Sequence, residues 1–441
     1  LRLSFEIATH GSAAVCKARK EALVFWGEPY QLLARDEEDL HRTTPEDIRL
    51  VMKGKSVLLM MEMLAAIGYA DSTLQHDLTY GFPIIGEAVC TGNFVPKEVP
   101  AQLTPIMLMA TARTSQQSLA DSMRTSAEPG IDAAVHAETM AEVERGWLVG
   151  PFSQAEVTRR LGKIWTAARR FGILQGGKLR CIDDYSEFQI NAAFGSSEKI
   201  DCGGVDEILV AARSLIKALA KPDVVVELSS GSTLRGTRHE EWGFVRMRRL
   251  VGRLLDLKGA YKQLARRASQ KWVTVIGVWN PALAATEFYE QPTLAFGQCG
   301  AVHGFNRAAK ALRKIAVVAF KVVTTNFYDD YSQVEATTMG LSAQTTLEGL
   351  MELLGLSIAD SERKHRAFAE SFEPLGVVMD FTASELGVVA ITNKPGRVED
   401  VMADITACCQ SRKLDPQTAA SIRGRILYLE QQCMGRCGAS F

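Results

Sequence analysis

The stretch TTNFYDDYSQ, residues 324–333, sets two adjacent carboxylates, Asp329 and Asp330, among aromatic residues in a run of strand-like composition. Like charges side by side repel, so a fold leaves them loose in solvent unless a cation needs them. Strand-forming residues flank the pair on both sides, VVTTNFY before and YSQVEATT after, which predicts a β-hairpin with acids at its tip. Whether a cation belongs there depends on what the rest of the chain supplies for it to act on.

Residues 1–140 are predicted to be mostly helical: PEDIRLVMKGKSVLLMMEMLAAIGY and AQLTPIMLMATARTSQQSLADSM both carry apolar residues at helical spacing. The breakers Pro129-Gly130 and Gly150-Pro151 predict a boundary between 130 and 150. RRFGILQGGKLRCIDDYSEFQINAAFG then reads as a hairpin turning at Gly176-Gly177, and VDEILVAARSLIKALAK as a helix. The polar segment SSGSTLRGTRHEEWG is expected to be a loop. RLVGRLLDL is an apolar run leading into a helix at GAYKQLARRA, KWVTVIGVW a strand, and FGQCGAVHGFNRAAKALRKIAVVAF a long helix. After the acid-tipped hairpin come a helix, AQTTLEGLMELLGL, the strand pair EPLGVVMDF and LGVVAIT, and a helical region broken at Asp415-Pro416. The class is α+β, with antiparallel strands and helices on one side.

Composition narrows the function. With 441 residues, 47% of them hydrophobic, the chain has material for two or three domains. No run reaches membrane-span length; SVLLMMEMLAAIGYA comes nearest and Glu62 interrupts it. The opening residues lack a signal-peptide core, and nine cysteines without a CxxC pair read as reduced thiols of an intracellular protein. The chain opens on Leu and is expected to be part of something longer. A net charge of −1 argues against nucleic acid, yet basic residues crowd 157–181 and 244–272. Those stretches would suit a polyanion channel or, on charge alone, solvated faces balanced by acids elsewhere.

Asp256 ends an apolar run. A carboxylate at a strand end beside an acid-tipped hairpin is what two divalent cations about 3.5–4 Å apart require, although Asp256 would equally serve as a helix cap. Tyr261, five positions on, could close off a nucleotide's sugar or be a core aromatic. Arg180, after a Gly-Gly turn, could clamp a triphosphate.

In order, GGKLRCIDDYSEFQIN, LDLKGAYKQL, LAFGQCGAVHGFNR, NFYDDYSQVE and FEPLGVVMDF resemble the successive motifs of a reverse transcriptase. Spacings of 40 positions from Asp256 to Phe296 and 33 from Phe296 to Asp329 agree with that order. The motifs resemble in particular the polymerases of eukaryotic retrotransposons, of the DIRS type, over residues 140–440. The resemblance implies a right-hand architecture with an antiparallel palm sheet, fingers and palm over 141–390 and a truncated thumb over 391–441, preceded by the helical extension 1–140. It implies Asp256, Asp329 and Asp330 as ligands of two Mg²⁺ ions, with Mn²⁺ able to replace them. Lys178 and Arg180 would bind the incoming triphosphate, Tyr261 would be the gate preferring deoxynucleotides, and Phe296 and Gly297 would shape the nucleotide pocket. Leu375 and Gly376 would form the turn of a primer grip. Lys364 is a candidate general acid for pyrophosphate, set against the reading of a solvated lysine. Ala295 stands where the family has proline, and Phe327 where it usually has tyrosine.

The implied function is RNA-directed DNA polymerase, with a primed RNA or DNA template and dNTPs as partners and no membrane. The alternatives are a decayed copy that only binds nucleic acid, an RNA-dependent RNA polymerase, which Tyr261 disfavours, and a scaffold protein. The segment 229–243 reads as an insertion or a decayed stretch.

Overall fold

The computed structural model describes residues 1–126, 128–175, 177–359 and 367–433, with the backbone alone at 129 and 431–433. The architecture is mixed α+β, with helices packed around several small sheets. At its centre lies a three-stranded antiparallel sheet in which Asp330–Ala336 runs between Thr324–Phe327 and Leu250–Asp256. Its strands are apolar on the faces they bury: Leu250, Leu255, Tyr331 and Val334 are all in the core. Two helices flank it, Cys299–Val318 and Gly340–Leu353. A five-stranded sheet ends in the long hairpin formed by Ala167–Gln175 and Lys178–Asp184. Of its turn, Gly176 lies outside the described residues.

Residues 1–140 are mainly helical and share the core of the rest of the chain. The 42-residue helix Arg2–Thr43 bends at Gly11, whose φ of +82° is open to glycine and where a Cβ would run into the His239 ring. Trp26, from this helix, lies in one apolar cluster with Leu255, Tyr261, Phe305 and Tyr331. Two buried arginines tie the same region to the central sheet and its helix. Arg19 donates to Glu335 at 2.6 Å and to the carbonyls of Lys321 and Met339. Arg307 holds Asp71 through two hydrogen bonds, of 2.8 and 3.0 Å, and donates to Asp77 at 2.5 Å.

Three expectations are corrected. The polar segment expected as a loop contains a strand, Thr233–Thr237, paired antiparallel with Asp223–Glu227. Its single partner lies across the turn at 228–232, and alternate residues stay exposed, so no apolar run marks it. The segment is also anchored to the rest of the chain. Trp242 is fully buried and donates its indole N–H to the Ile7 carbonyl at 3.1 Å, while the His239 N–H reaches the Ala8 carbonyl at 2.8 Å.

The helix expected after Asp256 is a single 3₁₀ turn, Ala260–Gln263. Long-range backbone bonds replace the helical ones: Leu294 N–H to Leu264 O at 2.8 Å, Phe82 N–H to Ala265 O at 2.9 Å, and Arg266 N–H to Pro292 O at 3.0 Å. Finally, the strands are not uniformly antiparallel. Val275–Asn280 runs parallel to Ala167–Gln175, and Gly86–Ala88 parallel to Phe194–Lys199. Among the described residues no helix is long and apolar enough to cross a membrane.

Candidate active site

Asp256 is the last residue of its strand and Asp330 the first of the next, and the register sets them directly opposite each other. Opposed residues of an antiparallel pair put their Cβ atoms about 4.5–5.5 Å apart on one face of the sheet. Asp329 occupies the two-residue turn with Tyr328, whose φ of +53° suits a tight hairpin. The Asn326 carboxamide steadies that turn by donating to the Tyr328 carbonyl at 3.3 Å. Asp256 is buried, and its backbone carbonyl accepts from Ala359 N–H at 2.9 Å, which pins the strand end.

Tyr261 lies beside this acidic tip, 2% exposed, stacked on Phe305 at 4.4 Å and tilted against Phe296 at 4.7 Å. Burial, with the nearby Asp329 carboxylate added to it, pushes the Tyr261 phenol far above its ordinary value, so it stays protonated. Phe296 is 68% exposed, and so presents one face to Tyr261 and the other to open space. Gly297 adopts a φ of +90°, and its α-carbon lies so near the end of the long hairpin that a Cβ would come 3.3 Å from the Asp183 carbonyl.

The acids, Tyr261, Phe296 and Gly297 are thus brought together. Lys178 and Arg180 are exposed on the arm of the long hairpin, paired with Gln175 and Ile173. That arm runs outward: Gln175, at its end, lines a cleft with Arg397, Asp400 and Tyr428. Leu375 and Gly376 form a turn with φ values of +48° and +77°. Tyr428 donates its hydroxyl to the Leu375 carbonyl at 2.5 Å and Arg397 donates to the Gly376 carbonyl at 3.1 Å, so the C-terminal helices hold this turn. Lys364 lies outside the described residues.

Many residues of the basic stretches are paired with acids, some in the core and some at the surface. Arg253 pairs with Glu348, Arg266 with Asp47, Arg267 with Asp77, and Arg249 with Glu370 and Glu385. Arg160 pairs with Glu290 and Arg169 with Glu187. Arg170 reaches Asp183 at 2.6 Å and Glu142 at 2.8 Å, and Glu142 also meets Lys262, the neighbour of Tyr261, at 3.7 Å.

That last network has a measurable consequence. Burial pushes the Asp183 carboxyl up, but the Arg170 guanidinium and the Lys262 ammonium outweigh it and hold the group below its ordinary value. A lowered carboxylate contributes stability above its unfolded pKa of about 3.9 and loses it as pH falls through the folded value. Asp183→Asn is therefore expected to cost about 2–3 kcal/mol at neutral pH, the scale of hydrogen bonds to a charged group. Urea titrations at pH 7 and pH 3.5 check this, since the gap between variant and parent narrows at the lower pH.

The donors are of the type Mg²⁺ takes: all are carboxylate oxygens, with Asp256 and Asp330 opposed on paired strands and Asp329 in the adjoining turn. Among the described residues no three His, Cys, Asp or Glu side chains are placed to hold a metal ion by themselves. Mg²⁺ does not need such a set, because it binds through one or two carboxylates together with waters and substrate phosphates.

Sequence reasoning missed two residues. Asn191 bonds to both sides of the Gly297 turn, from 106 positions away to the Gly297 carbonyl. Cys202 hydrogen-bonds Tyr328 in the acidic turn and lies 3.5 Å from the Asn306 carboxamide oxygen. Neither belongs to a spacing that marks a site. Only the polar motif around Asn191, SEFQIN, was visible at all.

No protein-family model and no curated protein matches the chain. Among solved structures it is similar to the foamy viral protease-reverse transcriptase in complex with dsDNA, with 12% identity and a TM-score of 0.41 over 83% of this chain and 62% of that one. It is also similar to the native prototype foamy virus protease-reverse transcriptase, with 13% identity and a TM-score of 0.35 over 58% of this chain and 26% of that one. The chain therefore spans less than two thirds of either structure, and the roles of its residues rest on its own geometry.

Proposed function

We propose that this chain is an RNA-directed DNA polymerase of a eukaryotic retrotransposon of the DIRS type, adding deoxynucleotides to a primer 3′-hydroxyl. The observation that carries the reading is the opposed pair Asp256 and Asp330, with Asp329 in the adjoining turn and an aromatic wall beside it. In this reading the three-stranded sheet is the palm, the five-stranded sheet with its long hairpin the fingers, and the C-terminal helices the start of the thumb.

Two Mg²⁺ ions, when bound, supply Lewis-acid stabilisation to the entering and leaving oxygens. Asp256, Asp329 and Asp330 would hold them, the first and last from opposed positions on paired strands and Asp329 from the adjoining turn. Tyr261 is packed between Phe296 and Phe305, and as the gate its bulk would exclude a sugar carrying a 2′-hydroxyl. Lys178 and Arg180 are cations on an exposed arm, free to meet a triphosphate. The Leu375–Gly376 turn, braced by Tyr428 and Arg397, would support the primer strand.

Primer extension on an RNA template with Mg²⁺ and dNTPs, beside an Asp329→Asn control, tests the reading. Extension by the parent and none by the control is the expected result. Binding of the primed template without extension by either protein would leave a nucleic-acid-binding copy of the fold. A preference for ribonucleotides would make it an RNA polymerase, and neither binding nor extension would sink the proposal.

A further inference from the structure

The helix Cys299–Val318 begins at Gln298, which caps it with no side-chain hydrogen bond. Gln298 is fully buried, and among the described residues its carboxamide has no partner. The first N–H groups of a helix need acceptors from outside it, and Asn or Ser normally supplies one locally. Here the acceptor comes from elsewhere in the chain. Asn191 Oδ1 accepts from Cys299 N–H at 2.9 Å. The same carboxamide donates through Nδ2 to the Gly297 carbonyl at 2.9 Å and to Ser186 Oγ at 3.0 Å. One side chain thus grips the turn on both sides of Gln298.

The grip has a firm base. Asn191 N–H bonds to the Tyr185 carbonyl at 3.1 Å, and Tyr185 is buried with its hydroxyl on Gln291 at 2.8 Å. The geometry requires an amide, because it needs one donor and one acceptor side by side. A carboxylate of the same shape would keep the bond to Cys299 N–H but oppose an oxygen to the Gly297 carbonyl. What the clamp holds still is the segment bearing Phe296, the exposed ring of the aromatic wall against Tyr261.

We infer that Asn191 is a positioning residue for the incoming nucleotide, acting through the 296–299 turn by capping the Cys299 helix from a distance. The inference rests on the polymerase reading. Asn191 touches no reacting atom in this scheme; it sets the direction of Phe296 and so the shape of the pocket.

Steady-state single-nucleotide incorporation by the parent, Asn191→Asp and Asn191→Ala tests it, with template affinity, melting temperature and amide exchange measured on the same samples. Two hydrogen bonds of ordinary net strength correspond to a rise in nucleotide KM of roughly tenfold. The expected result is that rise in both variants, with kcat and template affinity kept and faster exchange confined to residues 296–300. An equal fall in kcat, template affinity and melting temperature would reduce Asn191 to a fold-stabilising residue and overturn the inference. So would an unchanged nucleotide KM in variants of an active parent. A parent that extends no primer removes the polymerase reading itself and this inference with it.

Discussion

Asp256→Asn lowers the rate of primer extension by roughly a thousandfold or more, a loss on the order of 4 kcal/mol of transition-state stabilisation. The substitution keeps the shape of a buried side chain and removes only its charge. The register sets Asp256 directly opposite Asp330. If its carboxylate serves the chemistry and not the packing, the variant melts close to the parent while losing activity. A residue kept for packing behaves the other way round. Extension kinetics and a melting curve on one preparation distinguish the two. Full activity in Asp256→Asn would remove the pair from the chemistry, and a large drop in melting temperature would make Asp256 structural.

Arg19→Met is expected to destabilise the protein by about 3–5 kcal/mol at neutral pH, the cost of leaving one member of a buried ion pair uncompensated. Arg19 and Glu335 have fully buried side chains. Burial pushes the Glu335 carboxyl up, and Arg19 and the Val323 N–H oppose that only in part. Without Arg19 the rise is larger. A carboxyl raised in the folded state contributes its stability below the unfolded pKa, and that contribution is lost as pH rises through the folded value. The deficit of the variant thus opens as pH climbs above about 4.3 and closes below it. Urea midpoints at pH 4 and pH 7 check the sign. The double variant Arg19→Met with Glu335→Gln is expected to recover part of the loss, because no charge is then left buried. Equal losses in the single and double variants would show that the guanidinium matters for its bonds to the Lys321 and Met339 carbonyls instead.

These two substitutions also mark how far the chain could be understood unfolded. The hairpin at 324–336, the strand ending in Asp256 and the glycine-rich start of the Cys299 helix were all legible, because period and turn chemistry act within a few residues. Thr233–Thr237 was not, since only its pairing with Asp223–Glu227 defines it. The helix expected at 259–268 failed for the opposite reason: its local propensity was overridden by backbone bonds to residues 82, 292 and 294. The partners of the basic stretches were not legible, because charge in a sequence carries no record of its partner. Arg253 and Arg266 face acids that lie far along the chain, and Arg19 meets an acid 316 positions away.

The sequence by itself determined the chemistry on offer: three carboxylates at strand ends and a turn, a tyrosine five positions beyond the first of them, and a glycine turn before a helix. Tertiary structure alone decided that Asp256 opposes Asp330, that Asn191 caps a helix it does not belong to, and that many of the clustered arginines are paired with acids. The division is physical. Propensity and alternation are properties of a short window, whereas register, desolvation and charge pairing exist only once distant segments have met.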